Sequence, residues 1–218
     1  QNDADRRREG ILWISNSSFG GAAAYMSMYR DYVRQERDPL VRAVAIRSLA
    51  RWGDTDDALL IAPHLRDENA QVRWEAAKGL QRIHQPAVVS DLTTVLGNQE
   101  ERTDVRVASA IALGQYPEDR VVQALISALD QRSLVVNAAA AESLRVLTGE
   151  DLGLDARAWL RWYDPAASDP FDTGAEFMYP TYHRKDTFFE RLVFWSKRFE
   201  EQPGIPAGLT PRSERRTS

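Results

Sequence analysis

A pattern of small and apolar residues recurs four times along the chain, at intervals of 31 to 33 residues. Each copy begins with a valine: Val41, Val72, Val105 and Val136. Small residues follow four and seven positions later: Ala45, Ala76, Ser109 and Ala140, then Ser48, Gly79, Ala112 and Ser143. Large apolar residues follow eight and eleven positions later: Leu49, Leu80, Leu113 and Leu144, then Trp52, Ile83, Tyr116 and Leu147. A fixed period of this length indicates a tandem structural repeat.

This spacing places the recurring residues on one stripe of an α-helix. Small residues in the stripe let a neighbouring helix approach closely, and the leucines fill the space between the helices. A second amphipathic stretch precedes three of the copies, at 58–65, 88–96 and 121–129. Gly, Pro and Asp residues lie between the stretches, where helices end and begin. The pattern therefore predicts stacked pairs of a first and a second helix, which form a solenoid.

The segment 38–42, Asp-Pro-Leu-Val-Arg, resembles the start of the second helix in the HEAT family of α-solenoids. Later copies depart from this motif, because Asn69 replaces the Asp, Asp104 directly precedes a valine, and Asn137 replaces the Arg. The resemblance covers residues 22–163. It implies an all-α fold, a right-handed α-α superhelix of four helix pairs with capping helices and an extended C-terminal arm that carries one helix.

In HEAT proteins, the arginine after the valine typically meets an acidic group of the adjacent repeat. The resemblance therefore implies a structural ladder formed by the residues at this position: Arg42, Arg73, Arg106 and Asn137. The pattern over 147–162 also resembles the end of HEAT proteins that are common in planctomycete-type bacteria. A bacterial HEAT repeat protein of that type is the expected relative.

Composition and pattern divide the chain into five segments. Residues 1–10 predict a flexible N-terminal arm, and residues 11–163 predict the solenoid with a cap at each end. Residues 164–186 contain three Pro and isolated aromatic residues without a helical period, so they predict an extended strap. The spacing of apolar residues over 187–200 predicts an amphipathic aromatic helix. The proline-containing residues 201–218 predict a flexible tail.

The helix predicted at 187–200 begins with a capping box formed by Thr187 and Glu190. Its large apolar side chains cover one broad face: Phe188, Phe189, Leu192, Val193, Trp195 and Phe199. Such a face needs to be covered. Three interpretations stay open: the helix folds back on the solenoid, docks into another protein, or lies on a membrane surface.

Positions outside the buried stripe of the second helices face the concave surface of a solenoid. In the first two copies these positions form a basic strip with one aromatic residue: Arg47, Arg51, Trp74, Lys78 and Arg82. Arg and Trp are frequent anchors of protein interfaces, so a groove for an acidic protein segment is the functional interpretation. A solvated face of extended side chains and a nucleic-acid contact are the alternatives.

Composition limits the chemistry that the chain can support. The net charge of −4 and the pI of about 5.5 argue against a general nucleic-acid binder. The chain contains no Cys, which excludes disulfides, thiolate metal sites and a Cys nucleophile. His64, His84 and His183 lack metal-ligand spacing, so no metal or cofactor is expected. No apolar run is long enough for a transmembrane segment, whereas a peripheral membrane contact stays open.

Two classes of function are compatible with these features. The first is a non-catalytic protein-protein interaction scaffold or adaptor subunit of a larger assembly, which binds through the concave face and the C-terminal arm. The alternative is a HEAT-like enzyme, since HEAT-like proteins include bilin lyases and DNA glycosylases. An enzyme needs an acid or base in the groove, where the sequence offers chiefly Glu75 and Glu142. We expect a protein partner and no catalysis.

The first residue is Gln1 rather than Met, which suggests that an N-terminal segment has been lost. Removal of an export signal is one explanation. An exported or cell-envelope location, as a processed lipoprotein, and a cytoplasmic location are equally compatible with the sequence.

Overall fold

The computed structural model of the protein describes residues 3–163, 170–180 and 202–211. These residues form ten α-helices: α1 (Ala4–Ser15), α2 (Ala23–Gln35), α3 (Pro39–Trp52), α4 (Asp57–Ile61), α5 (Ala70–Gly79), α6 (Val89–Gly97), α7 (Thr103–Leu113), α8 (Asp119–Leu129), α9 (Leu134–Thr148) and α10 (Ala156–Trp162). Two 3-10 turns, Ala62–Arg66 and Pro86–Val88, follow α4 and precede α6. The all-α class predicted from the sequence is confirmed.

The helices are arranged in two layers. Helices α1, α3, α5, α7 and α9 pack side by side in chain order and form one layer. Helices α2, α4, α6, α8 and α10, with the 3-10 turns, form the other. The pairs α2–α3, α4–α5, α6–α7 and α8–α9 are repeats 1 to 4, and the stacking confirms the predicted α-solenoid. We call the exposed surface of α3, α5, α7 and α9 the second-helix face.

The recurring stripe forms the core between the layers. Its valines are fully buried, as are the leucines eight positions later. Gly79 shows why the position seven residues after the valine holds a small residue. A Cβ atom added there would lie 3.0 Å from Ala50 Cβ of the preceding repeat. Small side chains at this position therefore allow successive second helices to pack closely.

Side-chain caps begin the second helices of repeats 1 and 2. The carboxylate of Asp38 accepts hydrogen bonds from the backbone N–H groups of Leu40 and Val41, at 2.9 and 3.0 Å. The amide oxygen of Asn69 accepts one from the N–H of Gln71 at 2.9 Å. Asn and Asp are comparable N-cap residues. The departure from the HEAT motif at position 69 therefore preserves the cap.

The N-terminal helix is longer than the sequence predicts. Helix α1 begins at Ala4, capped by Asp3, and packs against α3. The structure therefore differs over residues 4–10 from the flexible arm predicted over 1–10. Two interactions explain the helix: Ile11 is buried, and Arg7 makes a two-pronged ion pair with Glu36.

The described part of the strap lies along the ends of the second helices. The Thr173 hydroxyl donates to the carbonyl oxygen of Thr148 at 2.6 Å, and the Ala175 N–H donates to that of Val146 at 2.7 Å. Phe177 is buried. Residues 170–180 contain no helix. Residues 173–175 are therefore held by repeat 4 without regular secondary structure.

Residues 202–211, which we call the return segment, also contact the solenoid. The Ala207 N–H donates to the Arg82 carbonyl oxygen, and the Ala207 carbonyl oxygen accepts from the His84 N–H, both at 2.8 Å. The Tyr179 N–H donates to the Gly204 carbonyl oxygen at 3.0 Å and so joins the strap to the return segment. The structure thus differs here from the flexible tail predicted over 201–218, because backbone pairing at repeat 2 fixes residues that composition alone makes flexible. The aromatic helix predicted at 187–200 lies outside the described residues.

Gly149 is required where the strap meets α9. Its φ of 79° lies in the left-handed region that favours glycine. A Cβ atom there would also lie 2.5 Å from the Thr173 carbonyl oxygen. The end of α9 and the strap can therefore approach this closely only at a glycine.

Candidate functional site

The ladder arginines join successive repeats. Arg42 donates to the Asp67 carboxylate through Nε and Nη2, at 3.0 and 2.8 Å, and to the Glu36 carbonyl oxygen through Nη1 at 2.6 Å. Arg73 binds Glu101 through Nε and Nη2, at 2.7 and 2.9 Å. Each of these arginines thus holds the loop of its own repeat and a carboxylate of the following one.

Arg7 adds a rung that was not predicted. Its Nε and Nη2 atoms lie 3.0 and 3.1 Å from the two carboxylate oxygens of Glu36. Burial opposes ionisation of Glu36, but hydrogen bonds from the Asp38 N–H and from Arg7 hold its pKa below the usual value. The sequence signal is weak, because Arg7 lies 35 residues before Arg42, slightly more than the repeat interval of 31 to 33 residues. Helix α1 is therefore the second helix of a partial repeat.

The ladder residues of repeats 3 and 4 bind a different kind of acceptor. Buried Arg106 donates to the Leu96 carbonyl oxygen from Nε and Nη2, at 3.2 and 3.1 Å, and burial lowers its pKa. Asn137 donates from Nδ2 to the carbonyl oxygens of Leu129 and Gln131, at 2.8 and 3.0 Å. These two rungs bind backbone oxygens rather than carboxylates.

The basic strip predicted on the second helices separates into two parts. Arg51 donates from Nη1 to Asn16 Oδ1 at 2.8 Å and lies 5.3 Å from the ring centroid of Trp52. Three other cations lie near Glu75 and act electrostatically on it, and we call them the cationic cluster: Arg47, Lys78 and Arg82. Arg51 therefore lies one helical turn beyond Arg47 on α3 and contacts the residue that follows α1.

Aromatic rings hold two members of the cationic cluster. The Lys78 ammonium lies 4.2 Å from the ring centroid of Trp74, and the Arg82 guanidinium lies 4.8 Å from that of Tyr179. Tyr179 belongs to the strap. Such cation-π contacts fix the direction of long side chains. Arg47 is exposed. The cluster therefore presents three cations on one face.

Glu75 is the buried carboxylate at the centre of this cluster. It is 7% exposed. Its Oε1 atom lies 3.5 Å from Gln71 Nε2, and its Oε2 atom has no hydrogen-bond partner among the described residues. Burial raises the pKa of Glu75, and the cationic cluster opposes that shift. Glu142, the other acidic group predicted for the groove, is exposed and pairs with Arg145.

An apolar hollow adjoins the cationic cluster. Its volume is about 490 Å³, and it is lined by Trp74, Arg102, Thr103, Asp104, Val107 and Val135. Val135 is 61% exposed, and its neighbour Leu134 is 67% exposed. Helices α5, α7 and α9 each supply part of the lining. The sequence shows these residues at separate positions in three repeats, and only the stacking brings them together.

A larger groove of about 710 Å³ lies at the N-terminal end, away from the predicted strip. Its lining residues come from α1, α2 and the following loop: Arg7, Ala24, Ser27, Met28, Asp31, Tyr32, Gln35, Glu36 and Arg37. The Arg7–Glu36 ion pair forms part of its wall. Its size alone assigns it no chemistry.

The histidines have structural surroundings where they are described. His64 lies 3.7 Å from Asp67, and burial lowers its pKa. His84 stacks on Tyr116 with the ring centroids 4.8 Å apart. Residues 3–163, 170–180 and 202–211 contain no group of three or more potential metal ligands. None of their helices is long and apolar enough to cross a membrane. His183 and the six apolar residues of the predicted arm helix lie outside those ranges.

Tandem helix pairs in two layers define an α-solenoid. A family model of HEAT repeats matches residues 29–102 and 58–145, which together span more than half of the chain. The chain therefore belongs to the HEAT-repeat family.

Comparison with individual proteins says less about the chain than the family model does. The solved structure of human deoxyhypusine hydroxylase in complex with glycerol is similar, with 28% sequence identity and a TM-score of 0.49. The similarity covers 55% of this chain and 42% of that chain. The chain thus spans less than half the length of that relative. A search of curated proteins finds no match.

Proposed function

We propose that this HEAT-repeat protein is a non-catalytic scaffold or adaptor that binds an acidic segment of a protein partner on its second-helix face. The observation that carries the proposal is the cationic cluster around Glu75. Arg and Lys bind carboxylates through charge-assisted hydrogen bonds. Trp74 adds an aromatic surface of the kind that anchors protein interfaces. An acidic segment would therefore find complementary charge and a large contact surface side by side.

The C-terminal arm is part of the same proposal. Its support is the sequence pattern of six apolar residues between 187 and 200. The described residues on either side of that segment, Tyr179 and Gly204, are hydrogen bonded to each other. Because Tyr179 also contacts Arg82, the described residues that flank the segment lie beside the cationic cluster. We infer that the arm contributes to the same protein interface. The planctomycete-type resemblance remains a prediction about origin.

A HEAT-like enzyme is the alternative, and Glu75 is the observation that favours it. A buried carboxylate with a raised pKa is a typical general acid. The two proposals differ for the Glu75→Gln variant. An enzyme of the bilin lyase or DNA glycosylase type that uses this acid would lose its activity. A binding protein would retain its partner, because the substitution removes a negative charge from the binding surface.

The proposal is tested by charge reversal on the second-helix face. The double variant Arg47→Glu/Lys78→Glu should lose partners that the wild-type protein captures from extracts of its source under mild extraction. Arg66→Glu is the matched control, since Arg66 is 69% exposed and its partner Asp91 lies on α6 of the other layer. Mass spectrometry would compare the captured proteins. Identical capture by the double variant and the wild type would refute the proposal.

A further inference from the structure

We propose that the segment bound on the second-helix face has two parts, an acidic part that binds the cationic cluster and a bulky apolar side chain that fills the apolar hollow. The inference rests on the proposed function and specifies its ligand. It identifies the partner by chemistry, as a peptide with acidic residues followed closely by Phe, Leu or a similar residue.

Trp74 connects the two sites. Its ring contacts the Lys78 ammonium at 4.2 Å, and the same side chain lines the apolar hollow. A ligand that lies on Trp74 would therefore reach a cation and the hollow at once. The ligand would bind in one orientation along the solenoid, because the cationic cluster lies in repeats 1 and 2 whereas the hollow extends to repeats 3 and 4.

The hollow has the size and polarity of a side-chain pocket. Its volume of about 490 Å³ lies within the range of small-molecule sites and exceeds what one aromatic side chain needs. Val107 and Val135 supply apolar contacts from α7 and α9. Among the lining residues, Arg102 pairs with Asp104 through Nε at 3.1 Å. The positive and negative charges thus offset each other at this side of the hollow. An apolar side chain therefore suits the hollow better than a charged one.

The geometry also limits the spacing within the ligand. Of the cationic cluster, Lys78 lies on α5, Arg47 lies on α3 and Arg82 follows α5. The hollow extends from Trp74 on α5 to α7 and then to α9. Axes of packed helices are about 8–10 Å apart. An extended peptide advances roughly 3.3 Å per residue. The acidic and apolar residues should thus be separated by about three positions.

The test uses three labelled synthetic peptides and fluorescence anisotropy with the whole chain. The first peptide carries three Asp residues and a Phe at this spacing, the second replaces Phe by Ser, and the third replaces the Asp residues by Asn. We expect the first peptide to bind at least about tenfold more tightly than either of the others, which is the effect of one good interface anchor.

The protein variants separate the hollow from the cationic cluster. Val135→Trp should fill the hollow without adding charge and reduce binding of the first peptide to the level of the second. Leu59→Trp is the control, because Leu59 is 50% exposed on α4, in the other layer. It should bind all three peptides like the wild type.

The outcomes separate this inference from the proposed function. If the first and second peptides bind equally well, the acidic site stands and the two-part ligand is refuted. If the third peptide binds as tightly as the first, the acidic part is dispensable and the inference also falls. If the first two peptides fail to bind the wild type, both the two-part ligand and the proposed binding of an acidic segment are refuted.

Discussion

Arg73 of repeat 2 donates hydrogen bonds of 2.7 and 2.9 Å to both carboxylate oxygens of Glu101, which precedes the second helix of repeat 3. The two side chains are only 19% and 8% exposed. A bond of this kind makes each repeat depend on the next. Its loss should therefore lower the free energy of unfolding.

Replacing Arg73 by Ala should lower the free energy of unfolding by roughly 3 kcal/mol, because Glu101 would be left as a buried carboxylate without its cation. Urea denaturation would measure the loss. Arg145→Ala is the matched control, since Arg145 and Glu142 are 45% and 59% exposed. An exposed pair contributes less than about 1 kcal/mol. Equal losses in the two variants would contradict a structural role for the ladder.

The ladder lacks an acid in the loop between α8 and α9 of repeat 4. Gln131 lies five residues before Val136, as Asp67 lies five before Val72, and its Oε1 atom is buried without a described partner. We expect Gln131→Glu to provide a carboxylate for Arg106 and raise stability by about 1 kcal/mol. Thermal unfolding at pH 7 would measure it. Gln123→Glu, at an exposed position of α8, controls for the added charge. A Tm that falls in the Gln131 variant alone would refute the assignment.

Glu75 should make the stability of the protein depend on pH. Its folded-state pKa is raised above the ordinary value of 4.5, chiefly by burial. The unfolded chain therefore releases this proton at lower pH than the folded one does. The resulting loss of stability begins as pH rises through the unfolded pKa, and it is complete above the folded pKa.

Substituting Glu75 by Gln removes that loss. The variant should be more stable than the wild type at pH 7 by about 1 kcal/mol, the usual minimum cost of an unsatisfied buried group. The difference should disappear well below pH 4.5. Glu142→Gln, at an exposed position, should change stability little at either pH. A Glu75→Gln variant that is less stable at pH 7 would show that the cationic cluster outweighs burial.

Gly149→Ala should weaken the attachment of the strap. The left-handed backbone and the 2.5 Å approach to the Thr173 carbonyl oxygen both oppose a Cβ atom. The expected loss of stability is about 1–3 kcal/mol. Limited proteolysis should also cleave the strap faster. Gly97→Ala is the control, because a Cβ atom at Gly97 meets nothing within 4 Å. Unchanged cleavage in the Gly149 variant would argue against the contact.

Local pattern predicts the repeats of this protein well. The stripe from Val41 to Leu147 has helical spacing, and burial between two layers of helices covers it. The cap at Asp38 is likewise a local feature that needs no tertiary contact. These parts of the fold follow from residues that are near one another in sequence.

Features that join distant segments are harder to predict. The ion pair of Arg7 and Glu36 turns a polar segment into a helix, although composition alone suggests a flexible arm. Ala207 is fixed by backbone groups of repeat 2, which no side-chain pattern reveals. The basic strip was predicted, but its division at Arg51 and the apolar hollow beside Trp74 depend on how the helices stack.

The return segment affects how the solenoid can come apart. In a simple array each unit touches only its neighbours, so the last unit can fray while the others stay intact. Here Ala207 of the return segment pairs with Ile83, which follows the second helix of repeat 2. Release of the far end therefore requires a second, distant attachment to open. The protein should consequently lose its C-terminal repeats in one cooperative step rather than peel from that end.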